Sequence, residues 1–138
     1  KNKNILNKYE SIVKKRELNS INVFGFTALE AAYEFGEKWL EELLQYLNLN
    51  IIFTKEYLIN NNSKIIFLEP ESTYLLWFSF KNYSISHAKV KQKLLKKSKL
   101  ALNDGTSFGT EGKGFFRLNC ALPKVNLEKA LSKIVTEF

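Results

Sequence analysis

The 138-residue chain has no methionine, one cysteine, one histidine and two prolines, and only Arg16 and Arg117 among its 21 basic residues are arginine. One cysteine excludes an internal disulfide, and one cysteine with one histidine cannot assemble a metal cluster. No apolar run approaches the ~20 residues a membrane-spanning helix needs, so no membrane partner is expected. Residues 1–7, Lys-Asn-Lys-Asn-Ile-Leu-Asn, are polar rather than signal-like. With the lone thiol, that leads us to expect a reducing, cytoplasmic setting. The lack of any Met, the initiator included, leads us to expect a piece of a longer chain. There is no P-loop, no dinucleotide fingerprint and no nucleophile with a visible base partner. By itself the chain does not read as a complete enzyme.

What is present is an ordinary globular composition, 45% hydrophobic and 14% aromatic, enough for one domain with a modest core. The net charge of +7 is compatible with an anionic partner but does not demand one. Its densest source, Lys89, Lys91, Lys93, Lys96, Lys97 and Lys99, interleaves with Val90, Leu94 and Leu95. That pattern predicts an amphipathic helix with a solvated face. The absence of arginine from it argues against a nucleic-acid partner.

Apolar periodicity places a first helix over residues 4–17, through Ile5, Leu6, Tyr9, Ile12 and Val13. Residues 19–26 read as a linker, oddly apolar at Ile21, Val23, Phe24 and Phe26. Thr27 and Glu30 form a capping-box pattern. A long helix is predicted from there to residue 59, with Ala28, Ala32, Phe35, Trp39, Leu43 and Leu47 as a core stripe and Asn48 and Asn50 marking a bend. Ile65–Leu68 and Thr73–Phe80 are predicted strands, separated by Pro70-Glu-Ser. Ser84 or Ser86 is expected to cap a helix over 87–98, and Asn126 one over 126–138. His87, at that helix start, reads as a surface residue or cap rather than a catalytic base. The order of elements predicts a two-layer α+β domain.

Residues 100–120 hold four of the six glycines between two apolar runs, which predicts strands at Leu100–Leu102 and Phe115–Cys120 around a glycine-rich loop. Gly109-Thr-Glu-Gly-Lys-Gly leads into a strand, so the geometry of a phosphate loop is missing. Strand alternation puts Phe115, Arg117 and Asn119 on one face and Phe116, Leu118 and Cys120 on the other. Cys120 is expected to be an inert buried thiol. Arg117 is a guanidinium in the middle of a strand in a chain that otherwise uses lysine. It reads either as one half of a local ion pair with Asp or Glu, or as a planar fork for a carboxylate or phosphate.

Three stretches carry a resemblance. Ser-Ile-Asn-Val-Phe-Gly-Phe-Thr-Ala-Leu-Glu-Ala-Ala-Tyr (20–33), with Trp39-Leu40 and Tyr46-Leu47, resembles the domain-connecting helix of MalY/PatB-type cystathionine β-lyases. Pro70-Glu-Ser-Thr-Tyr-Leu-Leu-Trp77 resembles the first strand of that family's small domain. Leu102-Asn-Asp-Gly-Thr-Ser-Phe-Gly109 with Gly114-Phe-Phe-Arg-Leu-Asn119 resembles its closing motif. The sequence departs from the family's Ala-Cys-Pro-Arg at Ala121-Leu-Pro-Lys124, and Ser79 stands where an Asp is usual.

The resemblance implies the C-terminal small domain of a fold-type I enzyme dependent on pyridoxal 5′-phosphate (PLP), in the class I/II aminotransferase superfamily. Its three- to four-stranded sheet is covered by helices and entered by a long connecting helix. Residues 1–26 would be a junction helix and linker to a large domain, and 27–138 the small domain. It further implies a carbon–sulfur lyase acting on cystathionine or cysteine-like amino acids, with Arg117 binding the substrate α-carboxylate. The large domain would hold the PLP lysine and the other cofactor contacts, and a homodimer partner would complete the enzyme. On that reading this chain has no catalytic, cofactor-binding or metal-binding residue of its own and is inactive alone. The alternatives are an aminotransferase small domain or a free-standing basic α+β binding module.

Overall fold

A computed structural model describes residues 2–17 and 22–138. By contacts the chain divides into two compact units, Lys1–Glu41 and Glu42–Phe138.

The first unit holds α1 (Lys3–Lys15), α2 (Val23–Phe35) and the start of α3 (Glu37–Asn60). Asn2 caps α1, its side chain accepting from the backbone of Asn4 and Ile5, and Val13 is buried. The expected linker is helical over its described part, because Asn22 rather than Thr27 is the cap. Its side chain accepts the Gly25 N–H at 2.7 Å, which draws Val23–Phe26 into the first turn. Ile21 lies outside the described residues. The expected single helix over 27–59 is two helices, interrupted at Gly36, the weakest helix former in the run. Of the expected core stripe, Leu47 is buried and Leu43 half-buried, but Ala28, Ala32, Phe35 and Trp39 are exposed. No residue of α2 is buried; Phe35 and Trp39 are 75% and 66% exposed, and Phe24 is 87% exposed.

In the second unit α3 runs through Asn48 and Asn50 without the expected bend, burying Leu47, Asn50, Thr54 and Leu58. Four antiparallel strands follow, β1 (Ile66–Leu68), β2 (Leu75–Ser79), β3 (Asn103–Asp104) and β4 (Phe115–Asn119), in the order β1-β2-β4-β3. Between them lies α4 (His87–Lys96), and α5 (Lys124–Glu137) ends the chain. Ser86 caps α4, accepting from the Lys89 N–H.

Period-two alternation sorts the sheet cleanly. Leu76, Phe78, Phe116 and Leu118 point to one face and are buried with Leu58 of α3, Val90 and Leu94 of α4, and Leu127, Leu131 and Ile134 of α5. The helices therefore back one face. Trp77 and Arg117 project from the other, directly opposite each other across the β2–β4 pair. Cys120, just past β4, is fully buried, and burial raises its thiol pKa.

Two boundaries differ from expectation for local reasons. The strand expected at Leu100–Leu102 lies at Asn103–Asp104. Leu100 instead closes the end of α4 by donating its N–H to the Leu94 carbonyl at 2.9 Å, and Leu100 and Leu102 turn toward the core. Helix α5 starts two residues before Asn126. Its Lys124 N–H, which has no partner within the helix, donates to the Tyr46 hydroxyl at 2.9 Å. A tertiary contact replaces the expected cap.

Candidate functional site

Arg117 sits at the centre of β4, an inner strand, paired with Trp77 on one side and Asn103 on the other. Its flanks Phe116 and Leu118 are anchored in the core, so the backbone position of the guanidinium is fixed by packing on the opposite face. The side chain is half-buried. Its tip lies over the Phe108 ring at 4.5 Å, a favourable stacking for a guanidinium. Phe108 meets Trp77 edge-on at 5.3 Å, and Trp77 meets Phe115 edge-on at 6.5 Å. Arginine is thus held in an aromatic bracket.

It is held without a counter-charge. Among the described residues no Asp or Glu forms an ion pair with Arg117, and its Nε is buried with no hydrogen-bond partner. Buried donors are normally satisfied, and this one has no acceptor within the chain. The reading of Arg117 as half of a local ion pair is not what the structure shows. A cavity of about 240 Å³ borders it, with Asn103, Asn119 and Leu100–Leu102 among its walls.

The loop bearing Phe108 is shaped by close backbone approach. Two 3₁₀ turns, Gly105–Phe108 and Thr110–Gly112, fold against each other. A Cβ on Gly105 would lie 2.3 Å from the Gly112 carbonyl oxygen and 2.6 Å from that of Phe115, so only glycine fits. Asp104 starts the first turn. It accepts from the Thr106 N–H at 2.9 Å, the Thr106 hydroxyl at 2.7 Å and Lys91 Nζ at 2.9 Å. The Thr106 hydroxyl first, then Lys91, hold its carboxyl well below the usual carboxylate range, against the opposing effect of burial.

His87 belongs to the same network and is not the surface residue or cap expected. Its ring stacks on Phe116 with centroids 4.7 Å apart and planes 12° from parallel. Its Nε2 lies 2.8 Å from Asp104 Oδ1, and its Nδ1 accepts the Gly114 N–H at 3.0 Å. The sequence hinted at Arg117 through its rarity and its strand position. It gave no sign of Phe108 as the arginine's neighbour, nor of His87 as a clasp, because both contacts depend on how the loop folds.

Asn50, on α3, is the other residue whose role was missed. It is 1% exposed and donates to the carbonyls of Cys120 and Leu122 at 2.9 and 3.0 Å, tying α3 to the exit of the Arg117 strand. Among the described residues no helix is long and apolar enough to cross a membrane, and no group of three His, Cys, Asp or Glu side chains could hold a metal.

A four-stranded antiparallel sheet backed by helices on one face is the fold shared with solved fold-type I PLP enzymes. A PLP-bound protein from Clostridium difficile 630, described as a putative aminotransferase, superposes with a TM-score of 0.88 at 39% identity, over 93% of this chain and 33% of its own. Cystathionine β-lyase PatB of Bacillus subtilis is 35% identical over 92% of this chain, and protein MalY of Escherichia coli 33% identical over 92%. The chain is thus a homologue of the MalY/PatB-type cystathionine β-lyases, and it spans about a third of the length of these two relatives. No family model matches it.

Proposed function

We propose that this chain is the C-terminal part of a PLP-dependent carbon–sulfur β-lyase and that Arg117 binds the α-carboxylate of its amino-acid substrate. The observation that carries the reading is the unpaired guanidinium: half-buried, stacked on Phe108, with a buried Nε lacking an acceptor. A planar fork accepts both oxygens of a carboxylate in parallel and so fixes its rotation as well as its distance. The similarity to a cystathionine β-lyase over 92% of the chain supports a sulfur-containing amino acid as that substrate.

PLP supplies an electron sink when bound, and the cavity beside Arg117 is lined by no lysine that could hold it. We therefore assign the cofactor contacts to a large domain preceding residues 1–26, with 27–138 as the small domain. The exposed apolar surface of α2 supports a further covering partner, either that large domain or a second subunit. On this reading the protein acts in the cytoplasm and binds no nucleic acid and no membrane.

The reading frame upstream of Lys1 tests this. It should encode several hundred further residues, and the full product loaded with PLP should release pyruvate from cystathionine. Amino-group transfer to a keto acid without pyruvate would make it an aminotransferase. A start codon immediately before Lys1 would favour a free-standing module. For the 138-residue chain alone, borohydride reduction with PLP should label lysines sparsely. One stoichiometrically labelled lysine would contradict the assignment of the cofactor elsewhere.

A further inference from the structure

The only histidine of the chain does nothing in the carboxylate grip, yet both its ring nitrogens are committed. Nε2 faces a carboxylate oxygen and therefore donates. Nδ1 receives an N–H and therefore accepts. The ring is the neutral Nε2–H tautomer, fixed by its two partners. Those partners stand at opposite ends of the glycine-rich loop. Asp104 is the residue before its first turn, and Gly114 the residue before β4. The ring thus pins the two ends of the loop together from α4, while Phe116 supports it from below. In between, the turn nucleated by Asp104 carries Phe108 to the Arg117 guanidinium.

We infer that His87 is a positioning residue for Arg117: in its neutral form it clamps the loop so that Phe108 stays on the guanidinium and orients it for a carboxylate. This rests on the carboxylate-binding reading of Arg117. Protonating the ring replaces the Nδ1 lone pair with an N–H aimed at the Gly114 N–H, donor against donor, and must open that end of the clamp. The charged groups around the ring are Asp104, which keeps its negative charge and holds the Nε2 side closed, Lys91 through Asp104, and Lys81, Glu111 and Lys113, which share a cavity wall with His87. The clamp is therefore expected to open at Gly114 first.

Nuclear magnetic resonance on the ¹⁵N-labelled 138-residue chain reads this without any substrate. A failure of the carboxylate reading would leave these signals unaffected, and kinetics of Arg117→Lys detect that failure separately. Phe108→Leu supplies the Arg117 Nε–Hε position for a guanidinium without its ring. His87→Phe keeps a flat ring on Phe116 and removes both hydrogen bonds. It should move the Arg117 signal most of the way to the Phe108→Leu position while the amides of Phe78 and Leu131 stay put. His87→Asn, which can still accept at the Nδ1 position, should restore part of the shift. In the wild type, the Gly114 amide and the Arg117 Nε–Hε signal should move together as the His87 ring nitrogens titrate. An unmoved Arg117 signal in His87→Phe overturns the inference. So does an Arg117 signal that ignores the His87 titration, a measurement that needs no variant to fold.

Discussion

Asn50 offers a sharp test of how the Arg117 strand is held in register with α3. Its amide makes two hydrogen bonds, one buried and one part-buried, to carbonyls 70 and 72 residues away. Neither carbonyl depends on it alone. Cys120 O also accepts from the Leu122 N–H, and Leu122 O from the Tyr46 hydroxyl. Asn50→Leu, close in volume and apolar, therefore removes two bonds without orphaning an acceptor. At about 1 kcal/mol for each bond, the loss should be about 2 kcal/mol. For a unit of this size that corresponds to a melting shift of roughly 8–16 °C. Asn50→Asp should cost more, because a carboxylate with no donor facing two carbonyl oxygens is a buried uncompensated charge. Its introduced carboxyl has a folded-state pKa raised above the unfolded value, so this variant should recover stability as pH falls toward 5. Urea unfolding read from Trp77, in a Trp39→Phe background so that only one tryptophan reports, measures both. If Asn50→Leu lost less than about 0.5 kcal/mol, near the limit for a surface change, and Asn50→Asp cost no more than Asn50→Leu, the clasp would be refuted.

Other consequences are as direct. Asp104 has a folded-state pKa depressed below its unfolded value, so its stabilisation is present above the usual carboxylate range and is lost as pH falls from about 4 downward. The gap in urea midpoint between wild type and Asp104→Asn should be widest at pH 7 and narrow progressively as pH falls below about 4; a constant gap would contradict this. Gly105→Ala should destabilise the loop severely, since its Cβ would overlap two backbone carbonyl oxygens, and loop amides exchanging at the wild-type rate would contradict that. Phe24 is 87% exposed on a helix that also exposes Val23, Phe26, Leu29 and Phe35, so light scattering should find self-association that weakens in Phe24→Ser. Unchanged mass and solubility would count against it.

The fold class and the strand that carries Arg117 were legible because alternation over Phe115–Cys120 and the β-prone run ending at Phe80 are local signals, and the helices behind them are periodic. What could not be read were contacts made across the chain. Asn50 reads as a poor helix residue until its carbonyl partners are seen, and His87 as a surface group until the loop closes on it. Tyr46, which supplies the start of α5, is 78 residues from the N–H it satisfies. The exposed stripe at Phe35 and Trp39 failed for a different reason. Helical spacing tells which residues share a face and not what covers it.

Arg117 decides the rest. In the longer lyase proposed above, Arg117→Lys keeps the charge and loses the fork, and kcat/KM should fall at least about a hundredfold, about 2.7 kcal/mol of transition-state stabilisation. The melting temperature of the 138-residue chain should barely change with Arg117→Ala, since no carboxylate is there to be lost. Unchanged kinetics in Arg117→Lys together with a large melting loss in Arg117→Ala would make Arg117 a structural residue and contradict the carboxylate site.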